Sequence, residues 1–126
     1  MEDKKLRIMV IDDENIVGKR LKPALEKTGD IVETFEDAQK ALERFNEQHF
    51  DIVVTDIRMD EIDGIEVLEH VLANSDKTKV IIITGYATVE VAREALTKGA
   101  FDFIAKPFKP NDLRVVIEKA ARQLRA

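Results

Sequence analysis

Five short runs of apolar, mostly β-forming residues recur along this chain. Each is followed by a stretch with helical spacing, and no hairpin signal joins any two of them. The runs cover residues 6–11, 31–35, 50–55, 80–83 and 100–105. Strands separated by helices cannot pair through tight turns, so the rhythm predicts parallel βαβ units with helices on both faces of one sheet. The second run, carrying Glu33 and Thr34, is the least apolar and suits a position near a sheet edge.

The helical stretches carry their own signals. Val17, Leu21, Ala24, Leu25 and Thr28 share one face of a first helix that stops at Gly29, and Pro23 predicts a kink in it because the ring removes a donor and crowds the preceding turn. Asp37 caps a second helix with Ala38, Ala41, Leu42 and Phe45 facing inward. Gly64 opens a third, using Ile65, Leu68, Val71 and Leu72. Thr88 is the expected N-cap of a fourth, whose thin apolar face is Val89, Ala92 and Leu96 and which closes at Gly99. Pro110 suits the first turn of a last helix built on Leu113, Val116, Ile117, Ala120 and Leu124.

At 126 residues and 44% hydrophobic content, the expectation is a single domain over residues 1–126, with no second catalytic or DNA-binding domain. A net charge of −5 argues against a direct nucleic-acid surface. The absence of cysteine removes disulfide and thiolate chemistry, and no run approaches the roughly 20 apolar residues of a membrane span. The chain reads as cytoplasmic, without membrane association. His49, in a helix-to-strand turn, and His70, on the polar side of its helix, read as solvated residues without metal-ligand spacing.

In a parallel sheet, residues that follow the strands collect along one edge, where open α/β sheets bind their ligands. Here those residues are Asp12 and Asp13, Asp56, Thr84 and Lys106. Each alone has a bland explanation: Asp12 and Asp13 as a helix-entry turn, Thr84 as a strand-end hydroxyl, Lys106 as a surface amine. Jointly those explanations need independent accidents at four strand ends. Three carboxylates at close range call for a cation, and an oxygen-only set with few protein ligands favours Mg²⁺ over Ca²⁺, with Mn²⁺ as a substitute. These parts suit phosphoryl transfer. Asp56 would be the nucleophile, Lys106 and the metal would neutralise phosphoryl oxygens, and Thr84 would donate a hydrogen bond to one of them.

The motifs Val10-Ile11-Asp12-Asp13-Glu14, Val54-Thr55-Asp56-Ile57-Arg58-Met59, Asp63-Gly64, Ile83-Thr84-Gly85-Tyr86 and Ala105-Lys106-Pro107-Phe108 resemble, in order and spacing, the receiver domains of two-component response regulators. The resemblance spans almost the whole chain and is closest to receivers of the NtrC type. It implies a doubly wound, flavodoxin-like α/β fold with strand order 2-1-3-4-5 and five helices. It also implies Asp56 as phosphoacceptor, Asp12 and Asp13 as metal ligands with Asp56, and the backbone carbonyl of Arg58 as a further ligand. Thr84 and Phe103 match the pair that shifts on phosphorylation, and Lys106-Pro107 matches a peptide bond usually cis in the family. The implied partners are a sensor histidine kinase or phosphotransfer protein and an output domain or downstream protein, with a phosphorylation-linked homodimer as a further expectation.

Arg58 and Tyr86 each stand two residues past a site residue and are expected to tune the lifetime of the phosphoryl group. Two positions depart from the family pattern: Asp60 stands where proline is usual, and Pro23 lies within the first helix. The fourth helix, loosely held, is expected to change most on phosphorylation. The competing functions are a small Mg²⁺-dependent phosphatase with an aspartyl nucleophile, a nucleotide or flavin module, and a phosphorylation-silent binding module. The phosphatase lacks a second Asp two residues after Asp56, and the nucleotide module lacks a glycine-rich phosphate loop.

Overall fold

The computed structural model describes residues 5–57, 62–85 and 89–125. Among them, strands and helices alternate without exception: β1 (Arg7–Ile11), α1 (Asn15–Glu26), β2 (Ile31–Phe35), α2 (Ala38–Glu47), β3 (Ile52–Asp56), α3 (Gly64–Asn74), β4 (Lys79–Thr84), α4 (Val89–Thr97), β5 (Asp102–Ala105) and α5 (Pro110–Arg125). The strands form one parallel sheet in the order β2-β1-β3-β4-β5. The flavodoxin-like order expected from the motifs is therefore the one observed, with β2 and β5 at the edges.

Side-chain alternation divides the core into two layers. Met9, Ile11, Val53, Val80 and Ile82 face α2 and α3, with Ala95 of α4 in the same cluster. Ile8, Val10, Ile52, Val54, Ile81 and Ile83 face α1 and α5. The three inner strands have to be apolar on both sides, which is why they read as continuous β-branched runs. The same alternation carried one step further puts Asp12 in line with Ile8 and Val10, and Asp56 in line with Ile52 and Val54, so both carboxylates emerge on the α1/α5 side.

Several element ends and faces differ from the sequence expectation. β3 includes Asp56 and begins at Ile52, two residues later than its apolar pattern, although Asp51 already bonds to both neighbours, its N–H donating to the Arg7 carbonyl and its carbonyl accepting from Lys79 N–H. β5 begins at Asp102, two residues later than its apolar pattern. α1 runs through Pro23 and ends at Glu26, with Gly29 at φ 90° closing the turn that follows. Most of the helix faces are as expected, but α4 is not. Val89 and Leu96 are exposed at 67% and 47%, whereas Ala95 is buried and Val91 is packed against the core. Apolar residues lie on two sides of this helix, so spacing alone could not choose the buried one. His70 is also corrected: it is half-buried, with its ring edge on Phe45 and its Nε2 3.0 Å from Asn46 Oδ1. His49 is exposed, as expected, beside Asp51 at 3.3 Å. Thr88 lies outside the described residues.

Candidate functional site

The site is assembled from strand ends. Asp12 follows β1, and its Oδ1 accepts the backbone N–H of Glu14 at 2.9 Å, turning the chain into α1. The helix-entry role and the site role therefore coexist in one residue. Asp13 is exposed at the rim, and Asp56 closes β3 with only 5% of its surface accessible. Carboxylate oxygens of Asp12, Asp13 and Asp56 lie within 4.8 Å of one another. An octahedral ion with ligands at about 2.1 Å separates adjacent oxygens by about 3 Å, so this cluster has the dimensions to share one small hard cation.

Lys106, delivered by the end of β5, faces the three strand ends. Its Nζ is 2.7 Å from Asp12 Oδ2, 2.8 Å from Asp56 Oδ2 and 3.1 Å from Glu14 Oε1. The contact to Asp12 Oδ2 is an ionic one, and among the described residues that buried oxygen has no hydrogen-bond partner. An oxygen in that state is what a site for a cation supplies. Burial raises the Asp12 carboxyl above its ordinary value, against the lowering effect of the Lys106 ammonium and the Glu14 N–H, with the negative Asp56 adding to the rise. For Lys106, burial disfavours the ammonium, but its contacts with Asp12, Asp56 and Glu14 outweigh burial and raise the pKa well above its usual value. The lysine is thus held charged.

Thr84 ends β4, fully buried, one residue beyond the Asp56–Ile83 pairing, and its carbonyl accepts Lys106 N–H at 2.8 Å. Strand alternation puts Thr84 with Val80 and Ile82 on the face that carries α4, and Phe103 packs half-buried against the same cluster. The two expected switch positions thus share a layer, opposite to that of Asp12 and Asp56. Phe101 and Phe108 are half-buried against the α1/α5 layer, and the Lys106–Pro107 peptide is cis. Arg58, Asp60 and Tyr86 lie outside the described residues, and with them the carbonyl ligand and the lifetime-tuning positions.

Two residues acquire site roles that the sequence did not assign. Gly64 begins α3 against the backbone of Asp56 and Ile57: a Cβ there would lie 2.7 Å from Ile57 Cα and closer still to the Asp56 carbonyl oxygen. The helix start is fixed by a capping box, Asp63 Oδ1 accepting Glu66 N–H at 2.9 Å and Glu66 Oε1 accepting Asp63 N–H at 3.5 Å. Glu14 is the other, through Lys106. Its sequence signal is its place as the third consecutive acid in the Val10–Glu14 motif, which gives it no role.

An open parallel sheet whose carboxyl edge holds an oxygen-only acidic crevice and a half-buried lysine defines a class: doubly wound α/β proteins with an acidic strand-end site. Within that class the assignment is specific. The chain belongs to the response regulator receiver domain family, whose family model matches residues 8–118. It is 40% identical over 114 residues to the regulatory protein AtoC of Escherichia coli strain K12, an alignment covering 90% of this chain and 25% of AtoC. It superposes on the CheY-like response regulator receiver domain protein of Methanospirillum hungatei JF-1 with a TM-score of 0.92 at 30% identity, covering 97% of this chain and 98% of that one. A beryllofluoride-activated NtrC4 receiver domain dimer gives a TM-score of 0.88 at 31% identity, covering 94% of this chain and 98% of its own. The resemblance to NtrC-type receivers therefore holds in sequence and in structure. The chain spans only about a quarter of AtoC's length. Among the described residues no helix is long and apolar enough to cross a membrane.

Proposed function

We propose that this chain is a phosphorylation-dependent switch of a two-component system, with Asp56 as its phosphoacceptor and a histidine kinase or phosphotransfer protein as its donor. The observation that carries this reading is the setting of Asp56: at a strand end, almost fully buried, with Lys106 Nζ at 2.8 Å and two further carboxylates close by. An Asp56 carboxylate oxygen forms the new O–P bond as the donor's P–N or P–O bond breaks, the electron pair leaving with the imidazole or acyl group. Lys106 transfers its contact to the phosphoryl oxygens, and Thr84 donates to one of them. Asp12, Asp13 and Asp56 would hold Mg²⁺, or Mn²⁺ in its place, and the ion would supply neutralisation of charge developing on the phosphoryl group. Slow hydrolysis of the aspartyl phosphate resets the switch.

The output is a changed surface around α4, β5 and α5, offered to an output domain, a downstream protein or a second copy of the chain. Val89, Leu96 and Val115 leave apolar surface exposed on α4 and α5, and Ala95 alone is fully buried in α4. A helix held so lightly shifts at small cost when Thr84 and Phe103 move beside it. Incubation with acetyl phosphate and Mg²⁺ followed by intact mass is the test. One phosphoryl group is expected on the wild type and none on Asp56→Asn, with amide exchange altered most in α4. An unmodified wild type would refute the acceptor assignment, and unaltered exchange in α4 would refute the output surface.

A further inference from the structure

Among the described residues Lys106 Nζ has three carboxylate partners, Asp12 at 2.7 Å, Asp56 at 2.8 Å and Glu14 at 3.1 Å. If Asp56 is the phosphoacceptor, two of the three cannot keep the lysine through the reaction. Asp56 would carry the incoming phosphoryl group, and Asp12 would be a ligand of the cation. Only Glu14 is left unchanged by both events. We propose that Glu14 is a positioning residue for Lys106: it holds the ammonium at the mouth of the crevice while the other two partners are exchanged for phosphoryl oxygens.

The surroundings of Glu14 fit this task. It is the N-cap residue of α1, yet its side chain makes no cap hydrogen bond, so the carboxylate is not spent on the helix. Its backbone is fixed from the other direction, the N–H donating to Asp12 Oδ1 at 2.9 Å and the carbonyl accepting Val17 N–H at 3.1 Å. The side chain is 62% exposed while that of Lys106 is 16% exposed, so the pair runs from solvent into the site along a cleft of about 210 Å³ that Arg20, Pro107 and Phe108 also line. A lysine stem loses about 2 kcal/mol of rotamer entropy when fixed. A tether that survives the exchange of partners spares the lysine from being re-ordered at the moment of transfer. Because Glu14 is exposed and uncapped, replacing it leaves the fold intact, which makes the inference testable.

The experiment measures the rate of phosphorylation by acetyl phosphate and Mg²⁺, by intact mass, for the wild type, Glu14→Ala, Glu14→Gln and Lys106→Ala, and for Glu14→Ala combined with Lys106→Ala. Glu14→Ala is expected to slow the reaction about three- to fivefold, the worth of one partly exposed ion pair. Glu14→Gln retains the acceptor oxygen and is expected to keep at least half the wild-type rate. In the Lys106→Ala background, Glu14→Ala is expected to have no further effect, because the residue acts through the lysine. Mg²⁺ affinity measured by calorimetry should be the same with and without the Glu14 carboxylate. A Glu14→Ala protein as fast as the wild type, a Gln variant as slow as the Ala variant, or an equal loss in the Lys106→Ala background would each overturn the proposal. A wild type that takes no phosphoryl group would instead remove the acceptor reading on which it rests, and the proposal with it.

Discussion

Gly64 illustrates how much one missing atom can decide. Its φ is not positive, so its role is not conformational freedom but space: α3 starts directly on the backbone of Asp56 and Ile57, with Gly64 N–H donating to the Ile57 carbonyl at 2.9 Å. A methyl group there meets backbone, which cannot swing aside as a flexible side chain would. Gly64→Ala is therefore expected to cost about 1–3 kcal/mol in urea unfolding, the usual range for overpacking, and to slow phosphorylation by displacing the acceptor's backbone. Unfolding at the wild-type midpoint would show that α3 can move away freely. The sequence marked Gly64 as a helix opener but could not reveal this contact, because it depends on the closeness of a helix to a strand end. Glu14 was hidden for a similar reason: its partner Lys106 lies 92 residues away, and charge alone does not single out one acid among neighbours.

At the level of elements, the inner strands were legible because burial on both faces leaves continuous apolar runs, whereas strand ends were not, since hydrogen-bond register decides them. The buried side of α4 was misjudged because Val89, Ala92 and Leu96 have helical spacing as good as that of Val91 and Ala95. The edge strand β2 has a different source of order. Its Glu33 accepts two hydrogen bonds from Arg44 of α2, at 2.9 and 3.1 Å, and one from Arg7 of β1 at 3.3 Å. The Arg44 hydrogen bonds, against a smaller opposing effect of burial and with help from Arg7, hold the Glu33 carboxyl below its ordinary value of 4.5. A carboxyl depressed in the folded state stabilises the protein above pH 4.5 and loses that contribution as pH falls through the depressed value. Glu33→Gln should accordingly be less stable by roughly 0.5–1 kcal/mol at neutral pH, and the difference should shrink towards zero on acidification. Denaturant midpoints of the two proteins across that range check it, and a gap that persists in acid would mean that packing, not charge, is what the residue supplies.

For the whole molecule, the fold was legible almost completely and the site only as a list of strand-end residues. The topology turns that list into a place. The convergence has a cost: carboxylates of Asp12, Asp13 and Asp56 lie within 4.8 Å of one another, and Lys106 is the lysine that faces Asp12 and Asp56. A site that concentrates like charge for function lowers the stability of the protein that carries it. Removing one charge at the exposed rim, by Asp13→Asn, should therefore stabilise the protein in chelator by about 0.5–1 kcal/mol, since repulsion among the three carboxylates falls. Mg²⁺ should reverse the order. A ligand that binds only the folded state adds about 2.7 kcal/mol at one hundred times its Kd, and the wild type, with its full set of carboxylates, gains more than the variant at any given concentration. In a chain of this length each kcal/mol moves the melting temperature by about 3–5 °C, so the crossing is measurable by thermal unfolding with EDTA and with Mg²⁺. Equal shifts for both proteins would mean that Asp13 is not a ligand. The absence of any shift would mean that the acidic cluster, despite its dimensions, is relieved by Lys106 alone.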